Sequence, residues 1–216
     1  MEKKEFHRRH LPHFQQPGQS YFVTWCTADA VPPKAVKNYT QQLKLLSTKI
    51  EILKTKNTDD KSIIDSKIEF SRIRKNYLKA LEDLLQLENK SIINLADPRN
   101  TSSIINTLLF WEGKRIENYA LTVMPNHVHW VFKVLDKDEK GEPVFLQDVL
   151  QSVKRFSANQ INMNENRKGT VWHNESFDTT IRDNLHLHNA IHYTLENPVS
   201  AGYVKNWWEW HGTRYF

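Results

Sequence analysis

The chain lacks the residues that announce several common architectures. It has one cysteine, Cys26, which excludes an intramolecular disulfide framework. That residue sits in the apolar run Tyr21-Phe-Val-Thr-Trp-Cys-Thr27 and reads as a buried, inert thiol. The six glycines are scattered, and none forms a phosphate-cradling loop between a strand and a helix. No apolar stretch approaches the roughly 18 residues of a membrane span, so no membrane association is expected. The opening segment, Met1-Glu-Lys-Lys-Glu-Phe-His-Arg-Arg-His10, is charged, with no apolar run behind it. A secretory signal is therefore not expected, and a cytoplasmic location is. Residues 34 to 89 contain neither glycine nor proline, which removes the usual helix breakers from a long segment.

What is present is enough for one packed domain. The chain has 216 residues, 39% of them hydrophobic, which suffices to bury a core. The net charge of +5 and pI near 9.2 suit a polyanionic partner without demanding one. Seven Trp, seven Tyr and ten Phe could stack on unpaired bases or simply fill the core.

Residues 1–17 read as a basic arm and 18–216 as a single domain. Strand composition marks Tyr21–Thr27, Glu117–Met124 and His127–Leu135, the last two joined by a Pro125-Asn126 turn. Leu43, Leu46, Ile50 and Leu53 keep a helical spacing, as do Ile64, Ile68, Tyr77, Leu81, Leu84 and Leu85. Lys56–Asp60 interrupts them, so two long helices, as an antiparallel hairpin, are expected near 34–90. That hairpin could face a second subunit as a coiled coil. Further helices are expected over Thr101–Trp111, Leu146–Met163 and Leu185–Leu195, the last closed by Asn197-Pro198. Strands and helices mix without regular alternation. The expectation is an α+β fold: a small antiparallel sheet with helices on one face, plus the helical insertion.

His127 and His129 are two apart in a strand, so their side chains face the same way. Two imidazoles on one face make half of a metal site; two core or surface histidines would leave the same string. His188 and His192 are four apart on a helix and could pair on zinc with His186, although the His-Glu-x-x-His signature is missing. Tyr193 and Asn197 share another face of that helix, a phenol one turn from a carboxamide. His192 lies roughly 100° round the helix from Tyr193 and reads as a core or DNA-facing residue. Asn126 reads as a residue that fixes its turn.

The segment Val123-Met-Pro-Asn-His-Val-His129 resembles the histidine-hydrophobic-histidine motif of single-tyrosine transposases, and is most similar to the REP-associated branch. Ile191-His-Tyr-Thr-Leu-Glu-Asn-Pro-Val199 resembles that family's tyrosine helix. Gln151–Arg155, Val171–Asp178 with Ile181-Arg182, and Tyr21–Ala30 resemble its intermediate and first segments. The likeness covers most of 18–215 and is weakest over 34–90. It implies a ferredoxin-like α+β sheet, with His127 and His129 as ligands of Mg²⁺ or Mn²⁺, Tyr193 as nucleophile and Asn197 as third ligand. It implies cleavage and rejoining of single-stranded or hairpin DNA through a covalent 5′-phosphotyrosine, as in DNA transposition, by a monomer or homodimer that is nucleoid-associated when DNA-bound. Arg8, Arg9, Lys154, Arg155, Arg167, Lys168 and Arg182 are candidate DNA contacts, with Trp172 as a stacking platform; the tail tryptophans Trp207, Trp208 and Trp210 read as core. Two other readings compete. One is a domesticated DNA-binding module without cleavage; the other is a zinc-structured protein using His186, His188 and His192.

Overall fold

The computed structural model describes residues 6–8, 12–14, 16–55, 60–86 and 91–216. Two short strands, β1 (Phe6–Arg8) and β2 (Pro12–Phe14), pair antiparallel with each other, so this part of the arm carries a ladder of its own. Five strands form the main sheet: β3 (Ser20–Cys26), β4 (Ile116–Val123), β5 (His127–Val134), β6 (Phe177–Thr180) and β7 (Thr213–Tyr215). Their order is β6-β3-β5-β4-β7 and every pair is antiparallel. The three strands legible from composition are β3, β4 and β5, the centre of this sheet. The edge strands are short, as edge strands tend to be.

Helices cover both faces of the sheet, not one. The reason lies in β5, whose residues are buried on both alternations, as in a strand sandwiched between layers. Val128, Trp130, Phe132 and Val134 pack with β3's Tyr21, Val23 and Trp25 against α3 (Pro98–Trp111) and α4 (Leu146–Asn164). The alternate residues His127, His129 and Val131 face the other way. There Val131 and Ala120 meet Ala190 and Leu195 of α5 (Asn184–Ser200). On this second face Cys26 and Phe177 meet the insertion, α1 (Pro33–Thr55) and α2 (Asp60–Gln86). No helix among the described residues is long and apolar enough to cross a membrane.

The insertion is docked. Leu43, Tyr77, Leu81 and Leu85 are buried against Cys26, Ala30, Val31 and Phe177, and the Tyr77 ring meets Phe177 edge-on. The Arg74 guanidinium donates to the Asp178 carbonyl. Asn126 Nδ2 donates to the Leu85 carbonyl at 3.1 Å, which ties the β4–β5 turn to α2.

Helix α5 runs past Pro198 to Ser200 instead of closing at Asn197. Proline has no N–H, so the Thr194 carbonyl four residues earlier loses its helical donor. The Thr122 hydroxyl on β4 takes that place at 2.7 Å. A hydroxyl on the sheet thus lets the helix continue and ties α5 to β4. Helix α3 also starts earlier than its apolar pattern, at Pro98; its cap Asp97 accepts from the Arg99 N–H, and proline suits the first helical turn.

Candidate functional site

The register of the sheet assembles the site. His129 on β5 lies opposite Thr24 on β3 and Thr122 on β4; His127 lies opposite Cys26. All of these side chains point to the face covered by α5 and α2. Both histidines are fully buried, at 1% and 0% exposure. Their Nε2 atoms are 3.0 Å apart.

The outer nitrogens are held from behind. Thr24 Oγ1 is 2.8 Å from His129 Nδ1. Asn126 Oδ1 is 2.6 Å from His127 Nδ1. The orientation of the Asn126 amide follows from its second bond: Nδ2 faces the Leu85 carbonyl, so Oδ1 faces the imidazole and accepts from Nδ1–H. His127 Nε2 is then a lone pair while the ring is neutral. The Thr24 hydroxyl can accept or donate, so His129 can present at Nε2 either an N–H to His127 or a second lone pair. Asn126 is therefore more than a turn residue, because it joins α2 to the orientation of His127.

Burial pushes both imidazoles toward neutrality. The His129 pKa falls to about 3 through burial. His127 lies well below its ordinary range through burial and the neighbouring His129, opposed by Glu82 and Asn197. Neutral imidazole is the form that binds a metal.

Tyr193 and Asn197 of α5 complete the group. The Tyr193 ring lies edge-on to His129, with centroids 5.4 Å apart, and to Phe22 at 5.7 Å, while Phe22 stacks on His129. Tyr193 is 37% exposed. Its hydroxyl donates to Glu82 Oε1 on α2. Burial first, and then the Glu82 charge and hydrogen bond, raise the phenol above its ordinary pKa. Glu82 Oε1 is 3.5 Å from His129 Nε2; with the imidazole neutral, this is a polar contact and not an ion pair. Burial raises the Glu82 carboxyl above the usual range, against the lowering effect of the Tyr193 hydroxyl, His127 and Asn197.

Asn197 is 1% exposed, yet neither Oδ1 nor Nδ2 has a hydrogen-bond partner among the described residues. Its carboxamide is near enough to His127, Glu82 and Tyr193 to influence all three, without the geometry of a bond to any. It does not cap the helix end. A buried amide left unpaired beside two converging imidazoles fits a missing electrophile. The fit to a divalent cation has a second element: ligands about 2.1 Å from an octahedral ion and adjacent to each other lie about 3.0 Å apart, the separation of the two Nε2 atoms. Two histidines and an amide are outside the acidic and thiolate sets, and no cluster of three or more His, Cys, Asp or Glu able to hold a metal occurs among the described residues.

The other sequence candidates scatter. Trp172 is 5% exposed, with its indole edge-on to Trp25 and its Nε1 bonded to Ser157 at 3.1 Å. It is a core residue and not a stacking platform. The Lys154 ammonium is engaged by the His173 carbonyl at 2.6 Å and Ser176 Oγ at 3.1 Å, which clamps the loop before β6. Arg155, Lys168 and Arg182 are exposed, and Arg167 is half-buried. Arg9 and the side chain of Arg8 lie outside the described residues. His188 and His192 are exposed with ring centroids 6.5 Å apart. Of the tail tryptophans, Trp207 packs on the α5 cluster and Trp210 donates to the Val123 carbonyl, but Trp208 is 66% exposed, contrary to a core role. Glu82 is the site residue that sequence reasoning missed. The available signal was weak: one acid beside the apolar positions Leu81 and Leu85 in a helix with acids at many positions.

No family model matches the chain. A Haemophilus influenzae protein named "Putative REP-associated tyrosine transposase" is 24% identical over 101 residues, 44% of this chain. The chain's match spans 56% of that relative, so a little over half of its length. Among solved structures, one described as a REP-associated tyrosine transposase bound to a REP hairpin is 14% identical, covering 99% of this chain and 82% of the other, with a TM-score of 0.46. A second, described as a putative transposase from Deinococcus radiodurans, is 13% identical, covering 82% of this chain and 88% of the other, with a TM-score of 0.32. Both scores are too low to establish a shared fold. What stands is an α+β chain with weak sequence similarity to one protein that bears the name of a REP-associated tyrosine transposase.

Proposed function

We propose that the chain cleaves and rejoins single-stranded or hairpin DNA, with Tyr193 as the nucleophile and His127, His129 and Asn197 as the residues that hold Mg²⁺ or Mn²⁺. On this reading its antiparallel sheet is a ferredoxin-like core, with the histidines on its central strand and Tyr193 on a later helix, α5. The observation that carries the reading is the convergence, on one sheet face, of two neutral imidazoles, an unpaired buried carboxamide and a phenol hydroxyl. The weak homology to a REP-associated tyrosine transposase supports it.

A hard cation held there would polarise the scissile phosphate and stabilise charge developing on its oxygens. The chain's own residues do the rest. Asn126 and Thr24 hold the rings from the Nδ1 side, so that the two Nε2 atoms converge. Tyr193 Oη forms a bond to phosphorus as the P–O3′ bond breaks. The phenolic proton passes to solvent, and the 3′ oxygen takes a proton from solvent and leaves as a hydroxyl. The chain then carries a 5′-phosphotyrosine, whose bond energy allows another 3′-OH to rejoin without ATP. Exposed Arg155, Lys168 and Arg182 would hold phosphates without reading sequence.

The test is incubation with end-labelled single-stranded hairpin DNA and Mg²⁺, followed by a denaturing gel. A denaturation-resistant protein–DNA band that disappears in Y193F and in EDTA is the expected result. Equal hairpin binding with and without EDTA, and no such band under any condition, would point to the binding-only module instead.

A further inference from the structure

The insertion α1–α2 has no role in the chemistry so far, yet it delivers a carboxylate to the reacting group. Tyr193 is held by two ring contacts and one hydrogen bond. Phe22 and His129 meet its ring edge-on at 5.7 and 5.4 Å, and the residue is 37% exposed, so the tilt of the ring, and with it the place of the oxygen, is also set by the hydrogen-bond partner of the hydroxyl. That partner is Glu82. Glu82 is itself well anchored: Leu81 and Leu85 on either side of it are each 3% exposed in the cluster with Cys26 and Phe177. The Leu85 carbonyl is bonded to Asn126, the residue that orients His127. Glu82, Tyr193 and His127 are therefore set by one connected frame.

We infer that the inserted hairpin is a working part of the site, with Glu82 as the residue that positions the Tyr193 hydroxyl beside the histidine pair. The inference rests on Tyr193 being the nucleophile. Removing the acceptor leaves a partly exposed phenol free to swing, and a misplacement of about 1 Å can slow a reaction about 100-fold. A glutamine keeps a carbonyl acceptor at the same reach, whereas a leucine keeps only the bulk.

The experiment uses the full chain labelled with 3-fluorotyrosine, with Y193F to assign the Tyr193 fluorine signal. Wild type, E82Q and E82L are compared by fluorine NMR, by hairpin-DNA affinity and by the rate of adduct formation with Mg²⁺. The expected result is a Tyr193 signal that stays single and sharp in E82Q and broadens or splits in E82L, with the signals of the other tyrosines unchanged. Adduct formation then falls about 10- to 100-fold in E82L, stays within a few-fold of wild type in E82Q, and DNA affinity is retained in both. An unchanged Tyr193 signal and a wild-type rate in E82L overturn the positioning role alone. So does an E82Q rate as low as that of E82L beside an unperturbed signal, because the charge and not the placement would then matter. A wild-type chain that forms no adduct overturns the nucleophile reading, and the positioning role with it.

Discussion

Substituting Asn126 separates the two bonds that tie the insertion to the histidines. Its side chain is 3% exposed and makes two contacts: Oδ1 with His127 Nδ1 at 2.6 Å and Nδ2 with the Leu85 carbonyl at 3.1 Å. Asn126→Ala removes both. The Leu85 carbonyl then loses its Asn126 donor in a buried setting, a loss of about 1–3 kcal/mol of folding stability. Loss of the orienting bond behind a metal-binding histidine lowers metal affinity about 10- to 100-fold, or about 1.4–2.7 kcal/mol. Asn126→Asp splits these effects. A carboxylate still accepts from His127 Nδ1–H but cannot donate to the Leu85 carbonyl. Mn²⁺ titration by calorimetry and urea unfolding of the metal-free chain read the two quantities. N126A loses both, while N126D loses stability and keeps Mn²⁺ affinity within a few-fold of wild type. If N126A binds Mn²⁺ as tightly as wild type, or if wild type binds none, the account of how His127 is oriented toward a cation is wrong.

Two further perturbations test how the site is framed. In Thr122→Val the Thr194 carbonyl loses its hydroxyl donor, which costs about 1–3 kcal/mol of stability by urea unfolding; in a Pro198→Ala background the restored amide N–H supplies that carbonyl and the cost shrinks, whereas equal costs in both backgrounds would refute the exchange. Asp29 ties the end of the insertion to the core by accepting from the Ser91 hydroxyl and the Ile92 N–H, each at 2.8 Å. Burial would raise its pKa, but those bonds outweigh it and the net shift is downward. Its stabilisation is therefore complete above the unfolded carboxylate range, near pKa 3.9, and is lost as pH falls through its lower folded value. The urea midpoints of wild type and Asp29→Asn should differ at pH 7 and converge toward pH 3; a gap that stays constant would contradict the assignment.

The parts of the site that lie on one element were legible in the sequence. The two-residue spacing of His127 and His129 fixes their common face once β5 is a strand, and the four-residue spacing of Tyr193 and Asn197 does the same on α5. The central strands and most helices followed from apolar period. What was hidden depends on contacts between elements. Pro198 reads as a helix stop because the replacement donor, Thr122, is 76 residues away on β4. The stacking role read for Trp172 fails because packing against Trp25 and Ser157, on other elements, buries it. Glu82 carries no local mark; the docking of α2 through Leu81 and Leu85 decides which of its acids meets Tyr193. Helices on both faces were missed because a histidine alternation on β5 looks polar, while its burial makes it a second inner face.

The central claim is that Tyr193 takes the 5′ phosphate of a cleaved strand. Its most direct test is to digest the protein–DNA product with nuclease and protease, and to locate the residual nucleotide by peptide mass spectrometry. A 5′-phosphonucleotide on the peptide that contains Tyr193, formed only with Mg²⁺ or Mn²⁺ present, is the predicted result. A nucleotide on any other residue, or an adduct of undiminished yield in Y193F, would contradict it.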